Sequence, residues 1–211
     1  KGFIMRLAIF LLTVTLAGSS LAQTAAQSLS QQLGRQTNIQ ADFVQYVLDA
    51  SGSRLQETHG RMVLAHPNQF WWQTADPFAQ LLVSNGERLW IYDEDLQQVT
   101  IQAIDPLTTS TPALLLSGNS TDIGAEFKVV VNYVDDDLVL YYLTPRDPES
   151  LYKSLRLNFK NNQLLEMQLE DTMHQKTSLN FSNMVFDPQI DQQLFEITIP
   201  EGTDVLELDQ F

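Results

Sequence analysis

The stretch "RMVLAHPNQFWWQT", Arg61–Thr74, holds two apolar runs separated by a turn, and its reading sets the fold class. Met62, Leu64 and His66 alternate with Arg61, Val63 and Ala65. Beyond the turn, Phe70, Trp72 and Thr74 alternate with Trp71 and Gln73. A side-chain period of two is that of a β-strand, and Pro67 with Asn68 supplies turn chemistry between the runs. A three-residue turn that sets His66 opposite Phe70 places Met62, Leu64, Phe70 and Trp72 on one surface of a hairpin. The opposite surface is also apolar, at Val63 and Trp71, so both faces need cover. Alternation alone leaves three uses open for the aromatics: an ordinary two-sided core, a catalytic cleft, or the wall of an apolar pocket.

The same period continues outward from Ile39 to the C-terminal region. "DASGS", "TADPF", "SNGE", "DEDLQ", "VDDDL", "RDPES" and "KNNQ" punctuate short runs rich in Val, Leu, Phe, Tyr and Trp. Turn signals recurring every eight to twelve residues or so predict a largely antiparallel sheet, bent into a barrel or sandwich. Asn85-Gly86, between "LLVS" and "RLWIY", predicts a hairpin with a type I′ turn. Two segments depart from this rhythm. Thr24 to Arg35 has helical spacing with a thin apolar face. "IDPLTTSTPALLLSGN", Ile104–Asn119, predicts a short, very apolar helix that opens at Pro112 and ends at Gly118. No internal repeat, linker or low-complexity tract divides the chain.

The beginning reads as a leader. Lys1 and Arg6 precede "LAIFLLTVTLAG", and Ser20 and Ala22 are the small residues before a cut after Ala22. This is the pattern of a secretory signal peptide, and the run is shorter than the roughly 17–25 residues of a membrane-spanning helix. The expected organisation is therefore residues 1–22 as a removed signal peptide and residues 23–211 as a single domain. Net charge is −14, and two units more negative once Lys1 and Arg6 are gone. Such a surface repels nucleic acid and anionic membrane. Cysteine is absent, so an exported chain of this kind relies on its core rather than on disulfides, and it has no N-terminal cysteine for a lipid anchor.

Sites for chemistry are sparse. His59, His66 and His174 are isolated from one another, without metal-ligand spacing. There is no GxSxG, SxxK or Gly-rich phosphate loop, and the acidic clusters at 93–95 and 135–137 read as solvated hairpin tips. Neither a metal nor a cofactor is expected. A periplasmic hydrolase acting in an apolar cleft, through some pair of Asp or Glu residues, remains the alternative of a different class.

Several segments together resemble the LolA family of periplasmic outer-membrane lipoprotein carriers. They are "ADFVQYV", "HGRMVLAHPNQFWWQT", "QLLVSNGERLWIYDEDLQQVT", "TPALLLSGN", "YYLTP", "LRLNF", "LLEMQLED" and "FEITIPEGTDV". The resemblance spans nearly all of the chain after the leader. It implies an α+β fold: an incomplete, half-open antiparallel β-barrel of about eleven strands, with short helices forming a lid over an apolar concave face. It implies a non-enzymatic, monomeric periplasmic chaperone that takes triacylated lipoproteins by their acyl chains. The family's partners are an inner-membrane ABC lipoprotein-release transporter and an outer-membrane lipoprotein acceptor. Carried over by position, the acyl cavity comprises Met62, Leu64, Phe70 and Trp72, with Leu114, Leu115 and Leu116 from the lid. Where the family has an Arg that latches the lid through hydrogen bonds to its backbone, this chain has His66. Imidazole can also donate to a carbonyl, with fewer donors, so His66 is the latch candidate. A sensor module of similar fold, binding lipid or lipoprotein and contacting a regulatory membrane protein, is the further alternative.

Overall fold

The computed structural model describes residues 17–35, 37–75, 77–104, 112–118 and 123–208, with side chains from Ala25 onward. Residues 1–16, most of the expected leader, lie outside the described residues, as do Thr111 and Asn119 at the margins of the expected lid helix. Among the described residues no helix is long and apolar enough to cross a membrane.

Among the described residues, twelve strands form one sheet. In chain order they are β1 (Asn38–Leu48), β2 (Arg54–Ala65), β3 (Gln69–Thr74), β4 (Gln80–Asn85), β5 (Arg88–Asp93), β6 (Gln98–Ala103), β7 (Phe127–Tyr133), β8 (Leu138–Pro145), β9 (Tyr152–Lys160), β10 (Gln163–Asp171), β11 (Lys176–Phe186) and β12 (Asp204–Leu208). Their spatial order is β12-β6-β5-β4-β3-β2-β1-β11-β10-β9-β8-β7, with β12 and β7 as edges that do not pair with each other. The sheet is thus an open, incomplete barrel. Every pairing is antiparallel except β12 with β6. This parallel strand brings the number to twelve, one more than the resemblance implies. It arises because the chain leaves β11, crosses the outer surface and lies down beside β6 instead of turning back in a hairpin.

The central hairpin, β2–β3, has a three-residue turn as expected, but its register differs. Ala65 faces Gln69 and Leu64 faces Phe70, so His66, Pro67 and Asn68 form the turn and His66 has no cross-strand partner. The difference is two residues, and a shift of two leaves every side chain on its original face. Met62, Leu64, Phe70 and Trp72 therefore share the concave surface. The β4–β5 hairpin also forms where expected, with another turn type. Gly86 and Glu87 are its two central residues, and of these only Gly86 has positive φ, at 97°. Gly at the first central position is the type II′ pattern. The Asn85 side chain instead caps the turn, accepting from the Glu87 and Arg88 backbone N–H groups.

Helices cover the hollow side in two patches. The helix expected from Thr24 to Arg35 is α1 (Ala17–Leu33), which begins seven residues earlier, within the expected leader, and ends two residues earlier. Its buried residues Ala25, Ala26, Leu29 and Leu33 repeat at helical spacing and join the core formed by Tyr141, Leu143, Leu155, Leu157 and Met167. All four lie downstream of the expected cut after Ala22. A 2.8 Å hydrogen bond between the Ser28 and Tyr141 hydroxyls anchors the helix, and burial raises the pKa of the Tyr141 hydroxyl, so it stays neutral. α2 (Pro112–Ser117) is the short apolar helix read from the sequence, lying over the other half of the hollow. α3 (Ile123–Glu126) leads directly into β7.

The outer surface of β2 and β3 has its own cover. Val63 and Ala65, with Trp71 at their side, pack against Phe195, which ends a 3₁₀ turn over Gln192–Phe195. The Asp191 carboxylate caps that turn by accepting from the Gln193 N–H at 3.0 Å. The cover that Val63 and Trp71 require thus comes from the segment after β11, more than a hundred residues away in the chain.

Candidate functional site: the concave face beneath the short helix

The cross-strand register arranges the hollow face of β1 to β5 in rows. One row runs Ile39, Leu64, Phe70, Ser84, Leu89; the next runs Ala41, Met62, Trp72, Leu82, Ile91. These two rows are nearly all apolar, and Met62, Leu64, Phe70, Trp72, Leu82 and Leu89 are buried. Much of their cover is α2. Leu114 and Leu116 are buried in the same cluster, and Leu115, half-buried, packs at its side. All seven residues carried over from the family resemblance therefore converge on one apolar layer.

Phe43 belongs to this layer and was not picked out from the sequence. Its ring lies against Trp72 with centroids 4.5 Å apart and planes at 32°. Its ring also lies close to Gly60: a Cβ on Gly60 would stand 2.2 Å from the Phe43 ring and 2.2 Å from the Gln73 carbonyl oxygen. The alternation of Ala41, Phe43 and Gln45 in "ADFVQ" was a usable signal for the face, but the glycine seat is visible only in three dimensions. Gly60→Ala should destabilise the protein by about 2 kcal/mol, since overpacking costs about 1–3 kcal/mol and a neighbouring strand's backbone yields little. A urea melt checks this; an unchanged midpoint would show that ring and strand relax freely.

The turn between β2 and β3 holds the C-terminal end of α2. The last carbonyls of a helix lack intrahelical partners. Here the Asn68 backbone N–H donates to the Ser117 carbonyl at 2.7 Å, and the His66 Nδ1 lies 3.2 Å from the Gly118 carbonyl oxygen. In that contact Nδ1 carries the proton and donates, and Nε2 is buried with no partner among the described residues. The Ser84 hydroxyl donates to the Asn68 carbonyl at 2.6 Å, bracing the turn from β4. Asn68 holds φ of 59°, a left-handed conformation that Asn tolerates better than most residues. Its contribution is a backbone N–H, which no side-chain pattern in the sequence reveals.

Two cavities flank α2. The larger, of about 440 Å³, opens beside its first residues, Pro112 and Ala113, with Trp72 in its wall. The smaller, of about 30 Å³, is an apolar slot at the opposite end, bounded by Met62, Leu64, Leu116 and Leu33. Among the described residues no group of three or more His, Asp and Glu is placed to hold a metal ion.

Comparison with known proteins agrees with this architecture. Residues 14–198 match the family model of the outer membrane lipoprotein carrier protein LolA. An outer-membrane lipoprotein carrier protein from Chromohalobacter salexigens is 40% identical over 195 residues, 92% of each chain. One from Pseudomonas aeruginosa is 39% identical over 208 residues, covering 96% of this chain and all of the relative. In fold, the chain is similar to the crystal structure of an uncharacterized conserved protein from Thermus thermophilus, with a TM-score of 0.50 and 12% identity over 92% of this chain and all of that one. With its open sheet, its short apolar cover and a family match running from the first helix to beyond the last 3₁₀ turn, this chain belongs to the LolA family of outer membrane lipoprotein carrier proteins.

Proposed function

We propose that this chain is a periplasmic lipoprotein chaperone rather than an enzyme, and that the apolar layer beneath α2 receives the acyl chains of its cargo. One observation carries the reading. A continuous apolar floor is sealed by a helix of six residues whose C-terminal end is held through two hydrogen bonds to the β2–β3 turn, and open space adjoins that helix. Met62, Leu64, Phe70 and Trp72 form the floor, and Leu114, Leu115 and Leu116 the underside of the lid. Residues 1–22 act as the export signal, and residues 23–211 work as one domain. Triacylated lipoproteins are received from an ATP-driven transporter of the inner membrane and delivered to an acceptor at the outer membrane.

The energetics suit a shuttle. Burying acyl chains from water gains about 0.8 kcal/mol per CH₂, and several long chains would exceed the ceiling of roughly 18–21 kcal/mol for non-covalent affinity. Water is never the competing environment, because cargo moves from one apolar surrounding to another. Exchange is then nearly balanced, provided the empty carrier also satisfies its own floor. Leu114 and Leu116 do this when the lid is closed, and acyl chains replace them when it opens. The two hydrogen bonds to the helix end are a similar small increment, each worth about 0.5–1.5 kcal/mol net because water takes the vacated carbonyls.

His66 acts in this scheme as a latch that favours the closed, empty form. His66→Leu should therefore retain cargo longer, slowing transfer to an acceptor by about fivefold for a loss of about 1 kcal/mol. Transfer kinetics measured with a fluorescent lipopeptide check this, and unchanged rates would exclude His66 from the latch. The carrier reading itself is tested by native mass spectrometry of the protein taken from the periplasm. Masses raised by acylated polypeptide are expected; a uniformly apo mass under conditions of lipoprotein synthesis would contradict it.

A further inference from the structure

We infer that the larger cavity is a head-group subsite, shaped to accept the neutral, amide- and ester-rich head of an acylated cysteine and to reject a phosphate-bearing lipid. The inference rests on the carrier reading and extends it from the acyl chains to the part of the cargo that distinguishes a lipoprotein from bulk lipid. Its basis is an abrupt change of polarity across the hollow face. The row next to Met62, Trp72, Leu82 and Ile91 begins with Phe43 on β1 and Gly60 on β2 and turns polar from β3 onward, with Thr74, Gln80, Asp93 and Gln98. On β3, β4 and β5 one step along the same face, about 7 Å, separates hydrocarbon floor from polar rim. Gln45 and Gln56 of β1 and β2 extend this rim, and with Thr74, Gln80 and Asp93 they line the cavity whose other wall is Trp72.

Two features of the lining select a class of ligand. First, the side chains of Gln45, Gln56 and Gln80 are half-buried and make no hydrogen bond to another described residue. A carboxamide offers two donors and an acceptor. Three of them around a cavity match carbonyls of glyceryl esters and of an N-acyl amide, and peptide N–H groups of the residues that follow. Second, among the described residues no Lys, Arg or His lines the cavity, whereas Asp93 and Asp95 do. Phosphate or a free fatty carboxylate would enter beside two carboxylates and without a cation from the described lining, an unfavourable placement. The head of a triacylated lipoprotein has neither phosphate nor a free amine, so it meets no such penalty. A carrier that touches membranes meets phospholipid in great excess over cargo. An acyl floor alone does not tell the two apart, because their chains are the same.

The test compares two probes with identical palmitoyl chains: a triacylated lipopeptide ending in a neutral Cys-Ser-Ser-Gly amide, and phosphatidylglycerol. Each displaces a fluorescent fatty probe from the full chain. The parent protein should prefer the lipopeptide by at least about tenfold. Gln45→Leu/Gln80→Leu, on the rim and outside the acyl floor, should weaken lipopeptide binding by roughly tenfold through two lost hydrogen bonds. It should leave phosphatidylglycerol binding and the melting temperature unchanged. Asp93→Asn/Asp95→Asn should strengthen phosphatidylglycerol binding and leave the lipopeptide within about twofold. Equal affinity of the parent for both probes, or a parallel loss of both in the Gln variant, would overturn the subsite while leaving the carrier reading intact. Failure of the parent to bind either probe would overturn both.

Discussion

Phe70→Glu is expected to abolish cargo loading while the sheet stays folded. Phe70 is fully buried beneath α2, between Leu64 on one strand and Ser84 on the other. A carboxylate there would lie in an apolar cluster of the described residues and costs several kcal/mol if it stays covered. The cheapest relief is to displace α2, because a six-residue helix leaves more readily than a strand bonded on both sides. The variant then presents an open hollow with a charge in the floor. Acyl chains face the same desolvation cost, so loading should fall by at least about a hundredfold, equivalent to about 3 kcal/mol or more. Circular dichroism should retain the sheet signal, and an acyl-probe titration should show no saturation. A variant that still carries lipoprotein at the parent rate would remove Phe70 from the wall.

The second large effect is on the opposite surface. Phe195→Ala should lower stability by about 3–5 kcal/mol, the usual cost of truncating a buried Phe. Phe195 is the one fully buried side chain among the described residues of the segment that crosses the outside of β2 and β3, packed with Val63, Ala65 and Trp71. Its loss leaves those residues facing a void or water and frees the segment that leads into β12. At about 2–4 °C per kcal/mol for a domain of this size, the melting temperature should drop by roughly 6–20 °C. Acyl binding at low temperature should change little, because none of these residues faces the hollow. A drop of less than about 2 °C, or a loss of binding equal to that of Phe70→Glu, would show that the two faces are not independent.

The two faces of the sheet thus do different work. The outer cluster is core whose covering residues are joined to the strands beneath them by a long connection. The hollow face has two kinds of cover. α1 is anchored by four buried residues and a hydroxyl pair, whereas α2 rests on the floor by a few leucines and is tied by two hydrogen bonds to a turn. A difference of this kind, one firm cover and one light one on a single sheet, is what lets part of a core exchange its filling without unfolding the rest.

The side-chain parity of residues 61–74 is decided within the chain itself. Period-two alternation assigns Met62, Leu64, Phe70 and Trp72 to one face under any register that differs by an even number, and so the expected pairing of His66 with Phe70 could be off by two residues without moving a single wall residue. The apolar helix beginning at Pro112 and the N-terminal helix were legible for the same reason, since local spacing and Pro or Gly punctuation act within a few residues. Tertiary structure alone decided which partner covers each face, the seat of Phe43 on Gly60, the parallel docking of β12, the closing of the convex side by Phe195, and the hydrogen bond from Asn68 to Ser117. Each of these joins groups far apart in the chain, and several act through backbone atoms that every residue possesses. Periodicity records which way a side chain points, and packing between distant segments determines what it meets there.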